Sequence, residues 1–193
     1  MDRWLLGLDA WVIQDGNYAD LEVGDELEFA VDFYPHELVP TDAREISARS
    51  KRDYLYEAVG LVTHRDEDAW TIDIGIGAYE EGPPPPGVEA GTFVEGTVSI
   101  GVDPFMYLED LARRETMPAL VYTWRLERLA LQTAPLVETA PRYFERDESK
   151  WAWKDLERTD AWNDDGGHAV YLLECARLPV EAKRKSERRG GPA

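Results

Sequence analysis

The chain has 193 residues, of which 44% are apolar and seven are tryptophan, so it is long enough to bury one core of ordinary size. Its net charge of −18 argues against nucleic-acid or membrane-surface binding by the folded body, because such a surface repels phosphate groups. There is no apolar run that could span a bilayer, no signal-peptide pattern, and a single cysteine, Cys175; together these predict a soluble cytoplasmic protein.

The apolar pattern in the first third of the chain predicts two strands. Residues 4–13 are apolar on both faces, which indicates a strand covered from both sides. Residues 26–33 alternate, with Leu27 and Phe29 on the core face and Glu26, Glu28 and Asp32 on the other. Residues 41–52 carry one large apolar residue, so a helix and a solvated loop both stay open there.

The middle of the chain predicts further strands. Residues 54–65 are apolar on both faces, and residues 69–77 and 93–102 alternate clearly. A run of four prolines between Gly82 and Gly87 predicts an exposed, extended loop, because proline cannot donate to a strand ladder. One short helix is predicted near 104–114, with Asp103 as its cap and Pro104 in its first turn.

The last third is less regular. Residues 119–132 begin as a strand and lose their phase near Leu129, which a bulge or a helical second half would explain. A charged excursion over 141–167 has weak periodicity, with a short helix predicted within 148–158. Residues 168–178 predict a strand covered on both faces.

These elements predict a mainly β fold with minor α content. We expect a six- or seven-stranded, largely antiparallel barrel or coiled sheet in one domain over residues 1–180. Residues 21–33 align without gaps on residues 88–100, so an internal duplication and a chance likeness between strand starts both stay open. Residues 181–193 form a basic tail, for which a frayed chain end is favoured over a nucleic-acid contact.

No catalytic, metal or cofactor motif is present in the sequence. The histidines, His36, His64 and His168, do not stand at metal-ligand spacings, and no nucleophile elbow, phosphate loop or dinucleotide fingerprint occurs. A site in which His64 joins Asp66 and Asp68 is less expected than an ordinary charged hairpin turn. We therefore predict no cofactor and no catalytic residue, and favour a non-catalytic protein.

Two features suit recognition. Glu26, Glu28 and Asp32 form an acidic strand face that could meet a basic protein, although the same face would also be an ordinary solvated surface. A second feature is the tryptophans of the charged excursion, which either anchor a partner, cover a pocket, or clamp the excursion onto the barrel. These residues are Trp151, Trp153 and Trp162.

The function predicted from these features is non-catalytic binding of a basic protein partner, in the manner of an inhibitor or immunity protein. One alternative is a small-molecule-binding barrel or enzyme whose pocket is covered by residues 141–167. Another is a structural subunit of a larger assembly, which would expose an apolar patch. The sequence leaves the oligomeric state open.

Overall fold

The computed structural model describes residues 3–179, and the basic tail predicted over 181–193 lies outside them. The described residues form a mainly β fold with a closed barrel and little helix, which confirms the predicted class. Its strands are β1 (Arg3–Asp9), β2 (Glu26–Phe29), β3 (Val31–Pro40), β4 (Ser47–Arg52), β5 (Leu55–Arg65), β6 (Ala69–Asp73), β7 (Gly77–Glu81), β8 (Phe93–Val102), β9 (Tyr122–Gln132), β10 (Leu136–Ala140), β11 (Tyr143–Arg146), β12 (Trp153–Leu156) and β13 (Val170–Arg177).

Helix is limited to short segments in the described part of the chain. The α-helices are α1 (Ala10–Gln14) and α2 (Met106–Glu109), and 3-10 turns cover Leu111–Arg113, Glu148–Lys150 and Asp164–Gly167. None of the helices between residues 3 and 179 is long and apolar enough to cross a membrane. The predicted helix near 104–114 is present, but it is one α-turn followed by a 3-10 turn. Its inward side chains are Tyr107 and Leu111.

Five strands close the barrel. Strand β8 pairs with β3 and β5, β6 pairs with β5 and β7, and one parallel bridge between Asp32 in β3 and Tyr79 in β7 completes the ring. Phe33 and Trp70 lie inside, with ring centroids 4.8 Å apart in an edge-to-face arrangement. Burial of alternate large side chains on strands that share one interior therefore stabilises the ring.

The remaining strands extend the sheet from the end of β8. Gly7 in β1 pairs in parallel with Gly101, β13 lies antiparallel beside β1, and β9 follows β13. Strands β2 and β12 pair with opposite ends of β9, while β10 and β11 form a separate two-stranded hairpin. Trp124 of β9 stacks on Phe29 of β2, and both belong to the same buried cluster as Phe33 and Trp70, so the core of this extension is continuous with that of the barrel.

Two predicted strands are each divided in the structure. The strand predicted over 26–33 breaks at Ala30, and its halves pair with β9 and β8 respectively. The strand predicted over 69–77 ends at Asp73, where Ile74 and Ile76 close a tight turn around Gly75, which has a φ of 107°. Alternation continued through both breaks because the residues on either side of Ala30 and of Gly75 are buried, so the pattern alone could not locate the breaks.

Three other segments also differ from the sequence interpretation. The strand predicted over 4–13 ends at Asp9, and α1 occupies the remainder. The undecided segment 41–52 contains β4, an exposed edge strand paired only to β5 in the described sheet. Within 148–158 the structure has a 3-10 turn and β12 where a helix was predicted.

The phase loss predicted in 119–132 is a β-bulge. Opposite β13, Glu174 pairs with Arg128 and Cys175 pairs with Leu126, so Glu127 is the extra residue in β9. A bulged residue shifts the side-chain alternation by one position, which explains why Leu126 and Leu129 are both buried.

The two segments aligned in the duplication hypothesis begin with the same turn. Asp25 N–H donates to Glu22 C=O over 3.0 Å, and Thr92 N–H donates to Glu89 C=O over 2.9 Å. Gly24 and Gly91 occupy the same position in these turns, with φ values of 102° and 86°. A four-residue turn of this form needs a left-handed third residue, which glycine supplies. The following strands pair differently, so common ancestry of the two segments stays a hypothesis.

Candidate functional site

A cleft opens where β8 changes its neighbour. Strand β5 pairs with β8 as far as Ser99, and β1 takes over at Gly101, so the sheet branches between these two positions. Diverging strands leave a crevice at such a point, as they do at the switch points of open sheets. The crevice has a volume of about 250 Å³.

Carboxyl and aromatic side chains converge on this cleft. The lining residues that carry functional groups include Asp9, Trp11, Asp32, Tyr34, Tyr54 and Glu80, and none of the described lining residues is lysine, arginine or histidine. The site is therefore acidic and aromatic. Its volume is below the roughly 300–1,000 Å³ typical of ligand pockets, so it suits one side chain or one small cation.

Two strand glycines make room for two of these side chains. A Cβ atom on Gly7 would meet the Tyr54 ring at 3.3 Å, and one on Gly101 would lie 2.6 Å from Oδ1 of Asp32. Because Gly7 and Gly101 pair with each other across β1 and β8, they form one bare patch on the sheet. Tyr54 and Asp32 occupy the space where side chains would otherwise project.

The carboxyls of the cleft hold their protons unusually strongly. Burial, together with repulsion from the nearby carboxyls of Asp103 and Asp9, raises the pKa of Asp32 to about 7. Burial also raises the pKa of Glu80 to about 7, with Asp32 contributing by like-charge repulsion. Ionisation of Asp32 therefore disfavours ionisation of Glu80.

Asp9 lies at the exposed rim of the cleft. Reduced solvation raises the pKa of its carboxyl, while a hydrogen bond from the Trp11 side chain and the positive charge of Arg146 act in the opposite direction. The rim therefore combines a carboxylate with an indole ring that is 51% exposed. This pairing can contact a cation through charge and through the ring face.

Asp103 is fully buried next to the cleft, where hydrogen bonds hold its carboxyl in place. Its Oδ1 accepts a hydrogen bond from the Tyr79 hydroxyl at 2.5 Å and one from the Tyr107 N–H at 3.2 Å. Burial raises its pKa, and the Tyr79 hydrogen bond opposes that rise. Asp103 thus fixes the start of α2 and adds like charge near Asp32.

The acidic residues predicted from the sequence do not form one face. Asp32 lies in the cleft, but Glu26 and Glu28 lie on β2, which pairs with β9. Glu26 forms an ion pair with Arg125 at 2.7 Å. The break at Ala30 therefore separates the predicted trio into one cleft residue and two residues of a solvated strand.

The predicted tryptophans also separate into two groups. Trp151 and Trp153 contact each other, with ring centroids 5.9 Å apart, whereas Trp162 is 68% exposed on the following turn. Trp151 donates its indole N–H to Asp53 at 2.9 Å and lies 4.6 Å beneath the Arg52 guanidinium. Asp53 precedes Tyr54, so Trp151 supports the loop that delivers Tyr54 to the cleft.

We expect Trp151→Leu to lower the free energy of unfolding by about 1–2 kcal/mol, because it removes both the hydrogen bond and the cation–π contact. Urea unfolding measures this loss. The matched variant Trp162→Leu changes an exposed indole and should shift stability by less than about 0.5 kcal/mol. Equal losses in the two variants would contradict the clamping role of Trp151.

Sequence reasoning missed Asp9, Trp11, Tyr34, Tyr54 and Glu80. Glycine inside a strand indicates a bulge or a close approach, and Gly7 and Gly101 both stood within predicted strands. That signal could have located the cleft. It could not have shown that the two glycines are paired, because they are 94 positions apart in the chain.

His64 forms a second polar cluster away from the cleft. Its Nε2 lies 3.2 Å from Asp66 Oδ2, its Nδ1 lies 3.2 Å from Thr116 Oγ1, and Arg114 bridges Asp66 and Asp68. Among residues 3–179, no group of three or more histidine, cysteine or acidic side chains is arranged to hold a metal ion. We interpret this cluster as a tie between the β5–β6 turn and the segment after α2.

Comparison with known proteins gives no match: no family model, no curated protein and no solved structure is similar to the chain at a significant level. The chemistry of the cleft therefore carries the functional interpretation. The cleft carboxyls repel one another and are partly desolvated, which disfavours their ionised forms. A bound positive charge stabilises those ionised forms. The arrangement can thus bind a cationic group.

Proposed function

We propose that this protein is a non-catalytic binding protein for a basic protein partner, and that one basic side chain of the partner enters the acidic cleft. The observation that carries the proposal is the convergence of Asp9, Asp32 and Glu80 on one cleft without a basic lining residue. An inhibitor or immunity protein works in this way when it occupies the cationic surface of its target.

Charge and shape both support this function. The net charge of −18 attracts a basic partner over long range and speeds its association. At short range, Tyr34, Tyr54 and Trp11 offer ring faces beside the carboxyls, which suits a guanidinium or ammonium group. The small volume admits a single side chain.

A small-molecule site is the second candidate, and it is supported by the pKa values near 7 of Asp32 and Glu80. Carboxyls of this kind are suited to proton transfer at neutral pH. Residues 141–167, expected to cover such a pocket, contribute no lining residue to this cleft. A free amine such as spermidine that binds the cleft but displaces no captured protein would favour this candidate.

Capture of the partner from lysate of the source cell tests the proposal. The wild-type protein should retain a basic protein whose binding weakens strongly between low and high salt. Asp32→Asn/Glu80→Gln should weaken that binding at least about tenfold, because the entering cation loses both charged contacts.

The matched control is Glu26→Gln/Glu28→Gln, which removes the same number of carboxyl groups from β2. It should reduce binding only slightly, since those residues lie outside the cleft. Equal losses in the two double variants would show that general acidity, and not the cleft, attracts the partner. Salt-insensitive capture would contradict the proposal as a whole.

A further inference from the structure

Four large apolar side chains are exposed on α1, on the β10–β11 hairpin and on the turn before β13. They are termed the apolar rim: Trp11, Leu136, Phe144 and Trp162. Trp11 also lines the cleft, so the rim and the cleft share a residue. Exposed aromatic side chains such as these are typical of the energetic centres of protein interfaces.

Hydrogen bonds hold the parts of the rim together. Gln14, one helical turn after Trp11, donates from Nε2 to the carbonyl oxygens of Ala161 at 2.7 Å and Gly167 at 2.9 Å. Ala161 immediately precedes Trp162. The turn that carries Trp162 is therefore fixed to α1, and the two exposed indoles lie on neighbouring segments.

The hairpin of β10 and β11 is fixed to the same turn through Arg146. Its guanidinium contacts Asp165 at 2.5 Å and donates to the carbonyl oxygens of His168 and Ala134, each at 2.8 Å. Leu136 pairs across the hairpin with Arg146, and Phe144 lies two residues before it on the same face. These two apolar side chains thus border the turn that carries Trp162.

The hairpin has little support of its own. All five residues of β10 are exposed, and so are three of the four in β11. Two-stranded hairpins are marginal in water without a packed face. An occupant that covers Leu136 and Phe144 would supply that face.

We infer that the apolar rim packs against large apolar side chains that flank the cleft-bound basic residue of the partner. The inference rests on the proposed function and specifies the partner segment as a cation next to aliphatic or aromatic residues. Charge complementarity selects this occupant: a second copy of the chain would bring another net charge of −18 against the cleft.

Two synthetic peptides with equal charge test the inference. One carries arginines flanked by serine, the other arginines flanked by leucine, and binding to the full-length protein is measured by calorimetry. We expect the leucine-flanked peptide to bind at least about tenfold more tightly. Phe144→Ser/Trp162→Ser should remove most of that difference and leave the affinity of the serine-flanked peptide unchanged.

The control variant is Val39→Ser, which changes a 56% exposed residue at the far end of β3. It should leave both affinities unchanged. Equal binding of the two peptides overturns the inference and leaves the proposed function standing, whereas binding of neither peptide overturns the proposed function itself. A dimer in light scattering that Phe144→Ser/Trp162→Ser dissociates would show that a second copy covers the rim, which also overturns the inference.

Discussion

Replacing Gly96 with alanine is expected to destabilise the protein by about 3–5 kcal/mol, at the upper end of single substitutions. Gly96 lies in β8 between Leu38 of β3 and Ala58 of β5, with a φ of 148°. A Cβ atom there would overlap the carbonyl oxygen of Glu37 and lie 3.2 Å from the Cα of Leu38. These are backbone atoms of a paired strand, so they cannot rotate away.

The close approach of β3 to β8 at Gly96 helps the barrel to close. Strand β3 changes register between Pro35 and Glu37 opposite this part of β8, which makes His36 the extra residue of a bulge. Bulges and glycines let a sheet bend sharply enough to close. Urea unfolding of Gly96→Ala should therefore show a lower midpoint.

Gly91→Ala is the matched control. Gly91 also has a positive φ, 86°, but no atom lies within 4 Å of the added Cβ. Only backbone strain of about 1–2 kcal/mol is expected there. If the two variants lose the same stability, the close approach between β8 and β3 is not what requires glycine at position 96.

Asp32→Asn is expected to stabilise the protein by roughly 1–3 kcal/mol at pH 8 and to have little effect near pH 4. The pKa of Asp32 is raised to about 7 in the folded state, mainly by burial, and is near 4 in the unfolded chain. Between these values the folded state binds more protons, so stability falls as pH rises. Asparagine stays neutral and keeps one oxygen for the Gly101 N–H.

Thermal unfolding across pH 4–8 measures this effect. The wild type should lose stability relative to Asp32→Asn as pH rises through about 7, and the difference should then level off. Asp42→Asn, which changes a fully exposed carboxyl, is the matched control and should leave the stability at pH 8 within about 0.5 kcal/mol of wild type. A variant that is less stable than wild type at pH 8 would show that Asp32 contributes favourable contacts larger than its burial cost.

The expected loss of stability caused by the ionised Asp32 carboxyl is informative about function. Residues at binding sites commonly lower stability, because their charges are arranged for a ligand and not for the free protein. The same substitution is expected to strengthen the fold and weaken partner binding. Opposite signs in these two measurements would separate a binding role for Asp32 from a structural one.

The sequence determined the fold class of this protein. Strands β5, β8 and β13 lie where the apolar pattern predicts them: β8 is predicted from its two-residue alternation, and β5 and β13 from short runs that are apolar on both faces. The bulge at Glu127 is also visible in the sequence, because one extra residue reverses the alternation of apolar and polar residues after it. Strand periodicity and bulges both depend on residues that are neighbours in the chain, so the sequence is enough to predict them.

Only the tertiary structure decided where strands break and which side chains meet. The chain turns at Gly75 and divides at Ala30 within unbroken apolar patterns, because residues at both breaks are buried against other strands. The polar segment β4 forms a strand because it pairs with β5 through backbone hydrogen bonds, and its own composition does not predict a strand. The cleft depends on the pairing of Gly7 with Gly101 and of Asp32 with Tyr79, contacts between distant residues that no local pattern encodes.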